Sequence, residues 1–390
     1  MKRRQFFRLT ATSTGGMLLL PNFLTAQNLF DINTTLSDNV LIFIQLNGGN
    51  DGLNTFIPFS DPLYYQKRPK IGIPKDQIIN SVNGMGFHPS LKDFAKISQD
   101  GNLTVVQNVG YPNPNRSHFR SREIWQTASD SNKYLDYGWL GRFLDIQCND
   151  KSLAALNVDN IDSLSLKSSL ANSITVKNFN KIKQYNATPE NQLKLSDNPQ
   201  LDFVRKLEYA SLEGMDEIDK ALKKAEKLNE SYANNPLSKN LEWMSKLIKG
   251  GLNSRIYYTS LNGFDTHNNQ IQRHKKQLSI LNDAIFSFYK DMKHNNLLDR
   301  VTLVVFSEFG RRVKENGMGT DHGTAGPMII VGGNNKGSVI GKNPNLINLD
   351  KGDLIFENDF RSVYATLLQS KFNFDSKAIN INNDVISGIF

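Results

Sequence analysis

Five stretches of the chain are continuous runs of apolar residues, and each run meets a glycine-rich or polar segment at one end. A run that is apolar throughout, without alternation, is typical of a strand buried on both faces, as in a parallel sheet. The five stretches read VLIFIQLNGGNDG, LTVVQNVGYPNPN, RIYYTSLNGFDTH, RVTLVVFSEFG and PMIIVGG.

Segments with helical spacing lie between these runs. The segment HPSLKDFAKISQDG ends at a glycine, and a longer one places Leu278, Leu281, Ile285 and Phe288 on one face. Strands that alternate with helices predict an α/β fold with helices on both sides of the sheet, which is a three-layer αβα sandwich.

The middle of the chain differs in composition. Residues from about 160 to 250 are rich in Lys, Asn and Ser, with helical patterns over 201–229 and 237–249. This composition predicts a mostly helical insertion within one domain that spans 35–390.

The first 26 residues have the composition of an export signal. They carry Lys2, Arg3 and Arg4, then a moderately apolar stretch that ends near Ala26. The paired arginines followed by Gln-Phe-Phe resemble the signal read by the twin-arginine export machinery, and an ordinary basic leader is the alternative. Either one predicts a periplasmic or secreted protein, and the stretch is too short and polar for a stable membrane span.

The charge balance and the cysteine content narrow the classes of function. Four of the positive charges behind the net charge of +8 lie in the leader, so the rest of the chain is only mildly basic. This argues against nucleic acid as a partner. The lone Cys148 excludes an internal disulfide, which fits export of a protein that folds, and takes up its metal, in a reducing cytoplasm.

Polar residues suited to metal binding lie next to the predicted strands. In open α/β sheets ligands bind at the carboxyl ends of strands, so these residues are expected to converge. Carboxylates with imidazoles, and no thiolates, favour a divalent ion such as Zn or Mn over a structural zinc knot. The candidates are Asp51, Ser117, His118, Asp265, His267, Glu308, Asp321 and His322.

Each candidate also has a structural interpretation. Asp51 suits a turn, Ser117 suits a helix N-cap, and Glu308 has Arg311 and Arg312 as nearby ion-pair partners. The remaining histidines are predicted at capping or solvated positions: His88, His274 and His294.

Three arginines flank Ser117 in the sequence. Their forked guanidinium groups suit a phosphate or sulfate ester, and a solvated helix face is the alternative. They are Arg116, Arg120 and Arg122.

The motifs together resemble a family of twin-arginine-exported bacterial proteins known as domain of unknown function 1501. It is placed in the alkaline phosphatase–sulfatase superfamily. The resemblance covers nearly the whole chain after the leader except the middle. Its motifs here are LNGGNDGLNTFIPFSDPLYY, YPNPNRSHFRSREIWQTA, NGFDTHNNQ, SEFGRRVKENGMGTDHGTAGPMIIVGG and DFRSVYATLL.

The resemblance implies an alkaline-phosphatase-like fold, a serine nucleophile at Ser117 and a centre of one or two Zn, Mn or Ca ions. The implied metal ligands are Asp51, Asp265, His267, Glu308 and His322, with Asp321 and His118 as further ligands or their supports. Phe309 stands where the superfamily places a histidine, which takes one ligand away from a second metal site.

The resemblance therefore implies an exported metal-dependent hydrolase of phosphate or sulfate esters, on small molecules or glycans. Neither Ser117 nor Cys148 lies in the C/S-x-P-x-R setting of formylglycine sulfatases, so phosphate esters rank above classical sulfate hydrolysis. The alternative is a periplasmic binding or assembly protein that keeps the fold and a metal site without turnover.

Overall fold

The computed structural model describes residues 38–148, 153–170, 173–177, 198–225 and 230–390. The predicted leader at 1–26 lies outside the described residues. The strands are β1 (Val40–Asn47), β2 (Phe56–Ile57), β3 (Ile79–Val82), β4 (Met85–Phe87), β5 (Leu103–Gly110), β6 (Ala155–Asn157), β7 (Ser173–Thr175), β8 (Ile256–Asn262), β9 (Val301–Ser307), β10 (Gly326–Gly332), β11 (Val339–Ile340), β12 (Leu349–Asp350), β13 (Asp353–Leu354) and β14 (Asn358–Asp359).

The main sheet has nine strands in the order β11-β5-β10-β9-β1-β8-β6-β7, with β14 beside β5. Strand β1 is central and pairs in parallel with β8 and β9. Strand β10 runs antiparallel to both β5 and β9. The beginning of β10 therefore lies beside the ends of its neighbours, at the same edge of the sheet.

Helices cover both faces of this sheet, which confirms the predicted α/β fold. The helices are α1 (Pro62–Lys67), α2 (Phe94–Gln99), α3 (His118–Thr127), α4 (Trp139–Gln147), α5 (Pro199–Lys224), α6 (Pro236–Lys249), α7 (Gln270–His294) and α8 (Phe360–Phe372). One apolar core lies between the sheet and α2, α5, α6 and α7, and the other between the sheet and α3, α4 and α8.

Strand β1 shows why the sequence pattern predicts this arrangement. Ile42 and Ile44 point into one core, whereas Leu41 and Phe43 point into the other. Because side chains alternate along a strand, burial on both faces requires an unbroken apolar run.

The middle of the chain contributes to the sheet as well as to the helices. Helices α5 and α6 occupy the positions that the helical patterns indicate, and Leu241 and Leu247 of α6 are fully buried in the shared core. Strand β7 is a further element of this region and pairs with β6 at the sheet edge. Three residues are too few for a recognisable strand pattern.

In the part of the chain that the structure describes, every helix is too short or too polar to span a lipid bilayer.

Candidate metal centre

Three imidazole nitrogens converge on one carboxylate oxygen at the carboxyl edge of the sheet. The Oδ1 atom of Asp265 lies 3.2 Å from Nε2 of His267, 3.4 Å from Nε2 of His322 and 3.6 Å from Nε2 of His118. The Nε2 atoms of His267 and His322 are 2.9 Å apart. We refer to these four residues as the histidine cluster.

The other ring nitrogen of each imidazole is held by a protein oxygen. Nδ1 of His118 lies 3.0 Å from Oε1 of Glu308, and Nδ1 of His267 lies 2.9 Å from Oδ1 of Asp321. Nδ1 of His322 lies 2.8 Å from the carbonyl oxygen of Arg116. A carbonyl or carboxylate at Nδ1 favours the tautomer with its proton there, which leaves the Nε2 lone pair directed into the cluster.

The loop between β9 and β10 brings His322 to this point. Its two arms approach so closely that a Cβ atom at Gly310 would lie 2.0 Å from the carbonyl oxygen of Ala325. A Cβ atom at Gly323 would lie 2.5 Å from the carbonyl carbon of Arg311. Glycines at both places let Arg311 and His322 pair as an isolated bridge.

Arg311 holds the Asp265 carboxylate of the histidine cluster in place. Its fully buried guanidinium donates to Oδ1 of Asp265 at 2.6 Å and to the carbonyl oxygens of Gly49 and Thr320. Burial favours the neutral form of Asp265, but the hydrogen bond and charge of Arg311 outweigh it and lower the pKa of Asp265 to about 2. Burial is also the main cause of the lowered pKa of His322.

Glu308 lies behind the cluster and not in its centre. Its carboxylate accepts from the backbone N–H of Gly48 at 2.9 Å and from the hydroxyl of Ser307 at 3.1 Å, in addition to its contact with His118. Burial favours the neutral form of Glu308, but the hydrogen bonds from His118 and from backbone N–H groups outweigh it and hold the pKa of Glu308 below its ordinary value. Phe309 is also buried, and its ring packs 4.9 Å from the ring of His118 and 4.8 Å from that of His322.

Asp51 lies apart from the histidine cluster, in a second group of polar residues. Its Oδ2 atom accepts from the guanidinium of Arg68 at 2.6 Å and from the side-chain amide of Gln270. Arg68 also donates to the carbonyl oxygens of Arg312 and Val313, and both members of the ion pair are fully buried.

His274 extends this second group, which contradicts its predicted capping or solvated position. Its ring is buried, and Nε2 lies 2.9 Å from the side-chain oxygen of Asn50. Burial lowers the pKa of His274 to about 4. We refer to Asp51, Arg68, Gln270 and His274 as the Asp51 network.

Ser117 occupies the N-cap position of α3, directly before His118. It is exposed, and its hydroxyl makes no capping hydrogen bond to the helix. Ser117 therefore lies at the surface, and its neighbours in the sequence contact the site: the Arg116 carbonyl oxygen lies against His322 and the His118 ring against Glu308.

The three arginines near Ser117 have different surroundings. Arg116 forms an ion pair with Asp353, and Arg120 donates to the carbonyl oxygens of Asp130 and Ser131. Arg122 is half-buried one helical turn after His118, and among the described residues its Nε atom has no hydrogen-bond partner.

Comparison with known proteins identifies the family. The family described as "Protein of unknown function (DUF1501)" matches residues 38–353. The chain belongs to this family. The resemblance carried by the sequence motifs is thereby confirmed. No curated protein matches the chain.

The chain is similar to several solved structures at low identity. The protein Ps i-CgsB in complex with k-i-k-neocarrahexaose is 9% identical, with a TM-score of 0.44, over 89% of this chain and 75% of that chain. The phosphonate monoester hydrolase SpPMH from Silicibacter pomeroyi is 8% identical, with a TM-score of 0.40, over 85% and 73%. A protein in the alkaline phosphatase superfamily from Vibrio parahaemolyticus is 10% identical, with a TM-score of 0.39, over 85% and 66%.

Two residues that shape this region were not predicted as site residues. Arg68 lies in a loop after α1, and the sequence predicts Arg311 only as an ion-pair partner of Glu308. Nothing in the local sequence distinguishes Arg68 from a solvated arginine. The sequence SEFGRRV does place Arg311 beside the strand end, but its partner is Asp265 and not Glu308.

Proposed function

We propose that this DUF1501 protein is an exported hydrolase of phosphate or sulfate esters that depends on one divalent metal ion. The observation that carries the proposal is the convergence of three imidazole Nε2 atoms on Asp265, with each outer nitrogen held by a protein oxygen. Outer-nitrogen contacts of this kind are typical of metal-ligating histidines.

The residues of the histidine cluster fit a metal ion. Within the part of the chain that the structure describes, the buried Nε2 atom of His118 has no hydrogen-bond partner, and an unpaired buried nitrogen costs free energy unless a bound species pairs with it. Candidate ligand atoms of His118, Asp265 and His322 lie within 4.8 Å of one another, and His267 is a fourth ligand. Three nitrogens and one carboxylate oxygen suit Zn or Mn better than Ca.

The surroundings support one ion and not two. Arg68 already neutralises Asp51, and the apolar ring of Phe309 supplies no ligand. In this proposal Glu308 and Asp321 hold His118 and His267 in orientation rather than bind the ion themselves.

A bound ion would act as a Lewis acid that polarises the ester and lowers the pKa of a nearby hydroxyl. In this proposal the chain itself supplies the nucleophile, the hydroxyl of Ser117, an exposed residue that directly precedes His118. Arg122 supplies a cation one turn along α3 for the ester anion. Arg116 and Arg120 are engaged with Asp353 and with a loop, so they serve mainly to position α3.

The alternative function is a metal-stabilised binding protein without turnover. Two observations favour it: the Asp51–Arg68 ion pair and the position of Phe309, which together leave no ligand set for a second metal. A two-metal clamp on the attacking and leaving oxygens is a common feature of phosphate-ester hydrolysis.

The test combines metal analysis with a panel of phosphate and sulfate monoesters and diesters. We expect one equivalent of Zn or Mn per chain and turnover of at least one ester. Ser117→Ala should lower kcat by several orders of magnitude with metal content unchanged. Ser60→Ala, which changes an exposed serine in the turn after β2, is the matched control. Metal binding without turnover of any ester supports the binding protein, and absence of metal overturns both functions.

Export by the twin-arginine route is a separate part of the proposal. Replacement of Arg3 and Arg4 by Lys should leave the precursor in the cytoplasm, because the arginine pair is the element that the export machinery reads. Normal export of that variant would instead indicate an ordinary secretory leader.

A further inference from the structure

A groove beside the C-terminal end of α3 has the features of a ligand site. It has a volume of about 620 Å³, which lies within the range of small-molecule sites, roughly 300–1,000 Å³. None of its lining residues belongs to the histidine cluster. We call it the Tyr134 groove, and its main lining residues are Tyr134, Asp136, Tyr137, Asn380, Asn382 and Asn383.

The aromatic rings of the groove are held with large areas exposed. Tyr134 is 74% exposed and Tyr137 is 42% exposed. The guanidinium of Arg120 lies 3.8 Å from the centre of the Tyr134 ring and covers one face of it. This cation–π contact fixes the ring and leaves its other face to solvent, as a platform on which a ligand can stack.

The loop that carries these rings is itself fixed from below. Arg120 donates to the carbonyl oxygens of Asp130 and Ser131, and Arg142 donates to those of Thr127 and Tyr137. Because the backbone is held by buried and half-buried arginines, the groove exists before a ligand arrives, which lowers the entropic cost of binding.

The charges in the groove are largely paired within the protein. Asp130 accepts from Arg361 at 2.7 Å and pairs with Lys133 at 2.8 Å. Arg361 is also paired with Asp359. Because these charges are paired internally, the groove has no excess of positive charge that would attract a polyanion. An apolar ligand would displace water from the amide and carboxylate groups without replacing its hydrogen bonds.

We propose that the Tyr134 groove binds the sugar rings of an uncharged oligosaccharide. A sugar ring presents an apolar C–H face that stacks on an aromatic ring, and hydroxyl groups around its edge. The exposed rings of Tyr134 and Tyr137 are suited to stack on this apolar face of a sugar. The amide groups of Asn380 and Asn382 can donate to and accept from the sugar hydroxyl groups, and the carboxylate of Asp136 can accept from them.

The experiment is calorimetric titration of the full chain with neutral hexasaccharides of glucose, xylose, mannose, galactose and N-acetylglucosamine. At least one should bind with a Kd below about 1 mM. Tyr134→Ala should weaken that binding at least about tenfold, whereas Tyr134→Phe should keep it within about threefold because the ring is retained. Ile347→Ala, which changes an exposed apolar residue outside the groove, should bind like the wild type.

Three results overturn the proposal, of which the first two are no binding of any hexasaccharide and unchanged binding by Tyr134→Ala. Loss of binding in His322→Gln would also overturn it, because the ligand would then be held at the histidine cluster. The proposal is independent of ester hydrolysis, since a protein without turnover can still bind the sugar in this groove. Tyr137→Ala provides a second variant whose effect should have the same sign as that of Tyr134→Ala.

Discussion

The histidine cluster and the Asp51 network lie at the same edge of the sheet and each combine a carboxylate with imidazole, yet their physical chemistry differs. Asp265 is 47% exposed and faces three imidazole nitrogens, whereas Asp51 is fully buried against the guanidinium of Arg68. Each carboxylate has a buried guanidinium as its countercharge, Arg68 for Asp51 and Arg311 for Asp265. In the histidine cluster the Nε2 lone pairs face one another and are open to an added cation.

The comparison shows that a carboxylate at a strand end is not in itself evidence for a metal ligand. Burial favours the neutral form of Asp51, but the charge of Arg68 outweighs it and lowers the pKa of Asp51. An ion pair of this kind stabilises the loop after β1 only while both partners are present.

The largest effect is expected from breaking the Asp51–Arg68 pair. Arg68→Met leaves the Asp51 carboxylate buried without a countercharge, so the free energy of unfolding should fall by about 3–5 kcal/mol. Urea denaturation measures this loss. The double variant Arg68→Met/Asp51→Asn removes the charge as well and should recover part of it. A loss below about 1 kcal/mol in the single variant would mean that the pair is not a stabilising feature.

The next effect concerns the histidine cluster. His322→Gln removes one imidazole ligand, so affinity for Zn or Mn should fall at least about 100-fold, or ~2.7 kcal/mol. Unfolding of the metal-free protein should change by no more than about 0.5 kcal/mol, because His322 is partly exposed. Competition with a chromogenic chelator measures the affinity, with the exposed His294→Gln as control. Equal affinities for the two variants would remove His322 from the metal site.

A smaller effect, per pH unit, is expected from a change in pH. Burial lowers the pKa of His274 to about 4 and that of His88 to about 3, against an ordinary value of 6.5. Between pH 6.5 and 4 the unfolded chain therefore binds protons that the folded chain does not. Each histidine should lower the free energy of unfolding by about 1.4 kcal/mol per pH unit as the pH falls through this window.

The variant His274→Gln isolates this contribution. Its unfolding free energy should depend less steeply on pH than that of the wild type between pH 6.5 and 4, by about 1.4 kcal/mol per unit. Metal-free protein is required for both, so that the histidine cluster does not add a metal-linked term. His294→Gln, a substitution at an exposed position, is again the control. Parallel pH profiles of His274→Gln and the wild type would contradict the buried neutral state.

Much of the fold could be predicted because it depends on patterns that are local in the sequence. The apolar runs that became β1, β5, β8, β9 and β10 are unbroken because both faces of those strands are covered. The short strands β6, β7, β11 and β14 could not be predicted. They have two or three residues each and owe their existence to the edge of a neighbouring strand.

The candidate site, like the fold, could be predicted from the sequence only in part. The sequence by itself determined which side chains follow strand ends, and hence that Asp265, His267 and His322 would lie at one edge of the sheet. Only the tertiary structure decided the partners. It placed Arg68 against Asp51, Arg311 against Asp265 and Glu308 behind His118. The physical reason is that a carboxylate accepts whichever donor the packed loops bring within about 3 Å, and those donors lie far away along the chain.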